Sequence, residues 1–373
     1  MTNHRVAIVA GARTPFAKSG KAFASLGPSA LAKHAVRGLL DRHKVNADRI
    51  DAIAFGAVGP EPGKPNLARE IVLEAGLSPR TEGQTISSYC ITGLRTATII
   101  ADAISAGRIS AGIAGGVEWL SGSDPSTFNE PSTQLSMGQH TEITRKEWGI
   151  SRERQDEIAL ASHRNAVAAR ERLAQEIISV DGIAGDTGPR PDTSLERLAT
   201  LKPAFDADGT ITAGNSSPVT DGASAVLLMS EKRARQEGRS PLAFIAAMEY
   251  AALRPSEGLL MAPAIAVPRL LDRVGLRLKD IDLIEIHEAF AAQVLANAAA
   301  WEQSWKGSAT DPVNWDRVNV NGSSISIGHP WSATGGRILT TLAYEMARRN
   351  ARYGLISMCA AGAMAGAFLL TRE

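Results

Sequence analysis

The 373-residue sequence predicts an α/β protein made of two related halves, and three observations lead there. Short apolar runs that read as strands alternate with segments of helical spacing, an order that implies parallel or mixed sheets covered on both faces. The stretch LLDRHKVNADRIDAIAFGAV at 39–58 returns as LLDRVGLRLKDIDLIEIHEA at 270–289. Leu, Leu, Asp, Arg and then Ile, Asp, Ile match at a constant offset of 231. Thr92-Gly93-Leu94-Arg95 matches Thr334-Gly335-Gly336-Arg337 at an offset of 242, which also carries Ile113 onto Leu355. Two matches in one order mark an internal duplication. Such halves pack as a pseudo-twofold pair, and ligands of open α/β sheets collect outside the strand ends. The natural crevice lies where the halves meet.

Along the chain, Val6–Val9 reads as a strand ended by Gly11. Pro28–His43 reads as a helix with Leu31, Val36, Leu39 and Leu40 on one side. A strand is expected at Ile50–Phe55, a helix at Asn66–Leu77, a buried helix just after Cys90 and a buried strand at Ile109–Val117. The segment from Leu120 to about Ile211 changes character. It is rich in Ser, Asp, Pro and Thr at 121–133, carries a charged helix at Ser151–Ala174, and turns Gly/Pro/Asp-rich at 181–192. It reads as a lid inserted into the first half. Strands follow at Ala223–Met229 and Leu242–Met248, the second opening the second half. The expected division is 1–119 plus 212–236, the insertion 120–211, and 237–373.

Forty basic against 39 acidic residues give no global field for nucleic acid or an anionic membrane. No apolar stretch is long enough to span a bilayer. The N-terminus lacks a signal-peptide pattern and the C-terminal Thr371-Arg372-Glu373 is no peroxisomal address. Two cysteines make no disulfide scaffold and suit a reducing cytoplasm.

Four residues stand at element ends facing the expected crevice. Cys90 lies at a helix start, where free N–H groups favour a thiolate and can draw a cysteine from a pKa of ~8.5 to ~3.5–7.5. His287 follows the strand Ile281–Ile286, His329 precedes a helix starting near Ser332, and Cys359 ends the strand Leu355–Met358. Each has a plain structural alternative: a buried hydrophobe for either cysteine, a core histidine, a helix cap. No CxxC or HxxxH spacing occurs, so no metal is expected.

Five blocks together resemble the thiolase family over essentially the whole chain. They are Cys90 with Thr92-Gly93-Leu94; Met137-Gly138 with SRERQDEIALASHRNA; Lys202-Pro203-Ala204-Phe205 through TAGNSSPVTDGAS; His287-Glu288-Ala289-Phe290; and Gly328-His329-Pro330 with Cys359. The HEAF run, AREIVLEAGL at Ala68–Leu77 and CAAG at Cys359–Gly362 look most like the β-chain of the fatty-acid trifunctional complex. The resemblance implies a five-layer α-β-α-β-α fold of two βαβαβαββ halves with an inserted loop domain. It implies an enzyme, an acyltransferase acting on acyl-CoA. Cys90 would be the acyl-accepting nucleophile, His329 its base, Cys359 the second acid/base and His287 a contributor to the first oxyanion hole. The backbone N–H groups of Cys90 and Ala361 would form the second hole. Arg190, Met137, Phe205, Ala213, Ser217 and Phe290 fall where the family contacts coenzyme A. No permanent cofactor is implied. A homodimer or tetramer is expected, with a hydratase/dehydrogenase α-chain as a possible partner. The other readings are a Cys-His-His condensing enzyme of ketoacyl-synthase type, which does not need Cys359, and a non-catalytic acyl-CoA-binding protein. Ile91, Ser323-Ser324, Trp331-Ser332, Ala363 and Ala365 depart from the family's usual residues, and the added Cβ atoms are expected to narrow the loop beside Ala361.

Overall fold

A computed structural model describes residues 4–59, 61, 63–124 and 128–372. Part of the run at 121–133, and Glu373 of the C-terminal tripeptide, therefore lie outside the described residues. In chain order the elements are β1 (Val6–Arg13), β2 (Ala17–Lys18), α1 (Pro28–Arg42), β3 (Ala52–Gly56), α2 (Leu67–Glu74), β4 (Glu82–Ile86), α3 (Thr92–Ser105), β5 (Ala111–Glu118), α4 (Met137–Glu147), α5 (Arg152–Ala168), α6 (Arg170–Leu173) and α7 (Leu195–Ala199). They continue with β6 (Thr220–Ser230), α8 (Glu231–Gln236), β7 (Ala243–Ala252), α9 (Pro263–Val274), β8 (Leu283–Ile286), α10 (Ala291–Glu302), α11 (Ser324–Ile327), α12 (Trp331–Arg349), β9 (Tyr353–Ala360) and β10 (Met364–Thr371).

The strands form one mixed sheet in the order β4-β3-β5-β6-β1-β7-β10-β9-β8, with β2 beside β6. That order is symmetric about the β1–β7 seam: β6 answers β10, β5 answers β9 and β3 answers β8. The hydrogen bonding agrees, with β3–β5 and β8–β9 parallel and β5–β6 and β9–β10 antiparallel. The offset of 242 carries Ala111, the start of β5, onto Tyr353, the start of β9. The symmetry fails at the far edge. Where the first half has β4, the second has, among the described residues, a single bridge between Ile284 and Val318.

Counting across the cores gives the five layers. Helices α1 and α2 cover the outer face of the first half, where Leu31 and Leu39 meet Ile53 and Ile113. Helices α9 and α10 cover the outer face of the second, where Ile265 and Leu270 meet Leu355 and Leu369. Between them α3 and α12 share one core, in which Leu94, Ile100, Ile338 and Leu342 pack against Leu228 of one half and Ile356 and Phe368 of the other. Each such aliphatic side chain contributes ~1.5–3 kcal/mol on burial.

The two central helices touch through backbone. A Cβ on Gly93 would lie 2.7 Å from Gly336 N and 2.8 Å from Ser332 O, and one on Gly335 would lie 2.6 Å from Leu94 N. The duplicated Thr-Gly pairs are thus the crossing point itself, and both helix N-termini are held on the same side of the sheet.

Several elements differ from the sequence expectation. Strand β1 runs on to Arg13, whose charge is fully buried but satisfied: Nε donates to Glu176 at 2.7 Å and the two terminal nitrogens to Asp186 at 2.6 and 2.8 Å. Glu176 and Asp186 belong to the 120–211 insertion, so the insertion is pinned to the central strand and is no free flap. Its helix starts as read, with Ser151 accepting from Arg154 N, but breaks at Ala169 into α5 and α6. β4 went unrecognised because its sequence, EGQTI, is polar and lies at a sheet edge. α10 shows no amphipathic stripe because nearly all its residues are buried.

Gly93→Ala is expected to destabilise the fold by ~1–3 kcal/mol through overpacking at the helix crossing. Urea unfolding of the variant checks this. A midpoint equal to wild type would show that the crossing has slack the geometry does not allow.

Candidate active site

Cys90 sits in a 3₁₀ turn, Tyr89–Ile91, that leads into α3. Thr92 ties the turn together: its hydroxyl donates to Tyr89 O at 2.6 Å and accepts from Ser88 N at 2.8 Å. Tyr89 has φ 49°, a left-handed conformation that is an outlier for a bulky residue. Strain of this kind persists where surrounding bonds over-determine it, often beside a functional group.

His329 stands between Gly328, at φ 119°, and Pro330, just ahead of α12. Its Nε2 lies 3.2 Å from Cys90 Sγ and its Nδ1 2.7 Å from Thr334 Oγ1. One ring edge is anchored to the following helix and the other reaches Cys90 of the opposite half. His287 packs beside it with ring centroids 4.2 Å apart. Cys359, near the end of β9, is buried among Ile211, Phe290 and Ala363, with Met137 and Phe205 packed on the same cluster. The backbone amides of Ala361 and of Cys90 itself lie close enough to the Cys90 sulfur to favour its thiolate.

The thiolate expected at Cys90 from its helix start is not the resting state. Burial outweighs those amides and Glu118 adds a like charge, so the Cys90 thiol is pushed up to about 12. The Cys359 thiol is also held well above the usual range, by burial and then by Cys90. Burial, with Arg337 as the second cause, brings His329 down to about 3. Burial, His329 and Arg337 hold His287 well below 6.5. The resting site is therefore a set of neutral thiols and imidazoles.

A groove of about 570 Å³ is lined by Lys18, His163, Arg190, Phe205, Ala213 and Ser217 among others, and by none of Cys90, His287, His329 and Cys359. It passes Val219, whose backbone is bridged to His329. Of the six residues expected on the coenzyme side, Arg190, Phe205, Ala213 and Ser217 line the groove. Met137 and Phe290 do not. They lie behind it, with Phe290 set edge-on to Phe205 at 5.8 Å, in the apolar cluster around Cys359.

The structure adds residues that sequence reasoning passed over. His163 lines the groove and its Nδ1 accepts from Arg190 N at 3.2 Å; burial and the neighbouring Arg190 hold it down to about 4. Glu118, at the end of β5, is buried. Its carboxylate accepts from Val58 N and Gly59 N at 3.1 and 3.2 Å and from the Ser332 hydroxyl at 2.9 Å, so it fastens the start of α12 to the first half. The one signal for it in the sequence was an acidic residue closing an otherwise apolar strand. Ser324 and Arg337 belong to the same buried network as His287.

Family models for the thiolase N-terminal domain match residues 6–128 and 123–232, and that for the thiolase C-terminal domain matches 239–372. The chain belongs to the thiolase family. It is 38% identical to a 3-ketoacyl-CoA thiolase of Alteromonas mediterranea over 99% of this chain and 97% of that protein. It is 36% identical to one of Escherichia coli over the same shares. Among solved structures, human mitochondrial 3-ketoacyl-CoA thiolase superposes with a TM-score of 0.91 at 30% identity over the full length of both chains. A Bacillus anthracis acetyl-CoA acetyltransferase superposes with a TM-score of 0.89 at 32% identity over 99% of both. No described helix is long and apolar enough to cross a membrane.

The depressed histidines set an acid limit. Unfolded, each takes up a proton near pH ~6.5; folded, His329 resists to about 3 and His163 to about 4. Below pH ~6.5 these histidines therefore bind more protons in the unfolded chain, and their share of the balance favours unfolding in acid. The stabilisation is complete above that pH and is lost as pH falls, by ~1.4 kcal/mol per pH unit for each such histidine. Buried Glu285 and Glu118, held up to about 8 and about 6, push the opposite way, so the histidine share is read as a difference: between about pH 6.5 and 4.5, His163→Asn is expected to take ~1.4 kcal/mol per pH unit off the wild-type slope in urea unfolding. A slope that His163→Asn leaves untouched would contradict it.

Proposed function

We propose that this thiolase cleaves a 3-ketoacyl-CoA to an acyl-CoA and acetyl-CoA, or runs the reverse condensation, with the acyl group carried on Cys90. The observation that carries this reading is the 3.2 Å approach of His329 Nε2 to Cys90 Sγ across the two halves, with Cys359 beside the same crevice. Cys90 Sγ attacks the 3-keto carbon while His329 Nε2 takes its proton. The oxygen that gains charge is received by the N–H groups of Cys90 and Ala361. The bond between the α- and β-carbons breaks, leaving an enolate of acetyl-CoA. Its oxygen is met by protonated His329 and by His287, and its α-carbon takes the proton of Cys359. Acetyl-CoA leaves. A second CoA thiol then gives its proton to the Cys359 thiolate and attacks the acyl group, and Cys90 recovers its proton from His329. Burial suits this scheme, because every charge made is opposed by one made with it and none is held at rest.

In the same reading, Arg190, Lys18 and His163 serve the polar end of coenzyme A and Phe205, Met137 and Phe290 its apolar reach toward Cys359. The division into 1–119 plus 212–236, 120–211 and 237–373 gives each half one catalytic helix start. The HEAF motif supports fatty-acid β-oxidation as the setting and a hydratase/dehydrogenase chain as a partner, family membership supports a homodimer or tetramer, and two free cysteines suit the cytoplasm.

Acetyl-CoA is expected to leave one acetyl group on Cys90, read by peptide mass spectrometry and absent in Cys90→Ser. Cys359→Ala is expected to keep that acetylation yet lower thiolysis of acetoacetyl-CoA by ~10²–10⁴-fold. Malonyl-dependent condensation surviving Cys359→Ala would favour the condensing-enzyme reading. Failure of Cys90 to acetylate would favour a binding protein.

A further inference from the structure

His287 is held at one nitrogen and unpartnered at the other. Nδ1 lies 2.7 Å from Ser324 Oγ, whereas Nε2 is buried with no partner among the described residues. The same serine hydroxyl lies 3.2 Å from Arg337 Nη2, which also reaches Ser323 Oγ at 3.1 Å. Arg337 is itself fully buried, with Nη1 3.4 Å from Glu285.

The hydrogens in this chain can be counted. A guanidinium only donates, so Ser324 Oγ accepts from Arg337 and has one hydrogen left to give. Its other partner among the described residues is His287 Nδ1, so donating to that nitrogen satisfies the hydroxyl, whereas accepting from it on the second lone pair would leave the serine hydrogen buried and unmet. Ser323 divides its bonds the same way, accepting from Arg337 and donating to Ile286 O at 3.3 Å. A neutral imidazole that accepts at Nδ1 carries its hydrogen on Nε2.

We propose that Arg337, acting through Ser324, locks His287 in the Nε2–H tautomer, so that the atom left unpartnered beside His329 is a donor and not a lone pair. Ser324 and Arg337 are then positioning residues for an oxyanion site. The sign matters. An N–H there attracts an enolate oxygen, and a lone pair repels it. A buried donor without a protein partner is costly unless a ligand oxygen meets it. What the donor does rests on the thiolase reading; which nitrogen carries the hydrogen does not.

The test uses the full chain labelled with ¹⁵N-histidine, with the His287 signals assigned by their loss in His287→Asn. Long-range ¹⁵N–¹H correlation of wild type near neutral pH is expected to show the Nε2–H pattern. In Ser324→Ala the tautomers are expected to mix, and kcat for thiolysis to fall about 10- to 100-fold with KM within about twofold. Ser324→Thr, which keeps the hydroxyl, is expected to restore both. A wild-type His287 protonated at Nδ1 overturns the proposal, as does a Ser324→Ala protein with unchanged tautomer and kcat. The wild-type spectrum decides the tautomer even if Ser324→Ala does not fold. If wild type neither acetylates Cys90 nor turns over a 3-ketoacyl-CoA, the proposed function falls while the tautomer result stands.

Discussion

The backbone contact between α3 and α12 is the constraint on which the rest depends. Two helices from opposite halves cross at Gly93 and Gly335 with no room for a Cβ. Because the halves are related by a twofold, the crossing brings equivalent ends of the two helices to one place. One end presents Cys90 and the other His329, and 3.2 Å separates sulfur from nitrogen. A side chain at the crossing would force the helices apart and open that gap. The duplication is therefore the device that lets a thiol and an imidazole from different halves of the chain meet.

Burial then sets the character of the site. The same packing that brings the groups together removes water from them, and a low-dielectric setting favours their neutral forms. Cys90 is raised and His329 and His287 are lowered for one reason. The helix start that would favour a thiolate in isolation loses to desolvation. The nearest fixed charges reinforce this outcome, since Glu118 opposes a Cys90 anion and Arg337 opposes a His329 cation.

The buried charges that remain are structural ties between parts distant in sequence. Arg13 in the central strand holds Glu176 and Asp186 of the insertion, and Glu118 holds the turn after β3 and the start of α12. Each side chain joins elements that local pattern reading treats separately. That is why β1 was read too short and the insertion too loose. Polar edge strands and all-round buried helices escape the same reading, because neither β4 nor α10 shows the one-sided apolar pattern by which strands and helices are recognised.

The sequence by itself determined the kind of fold, the duplication and which thiols and imidazoles stand at element ends. Apolar periodicity, repeat offsets and residue chemistry are local or one-dimensional properties. Cys90, His287, His329 and Cys359 could all be placed at element ends that way. Only the tertiary structure decided distances, protonation and partners. That His329 reaches Cys90, that both are neutral at rest, that Met137 and Phe290 stand behind the groove, and that Ser324 joins Arg337 to His287 all depend on which surfaces exclude water and which backbones meet. Those are sums over contacts between residues far apart in the chain, and no stretch of sequence contains them.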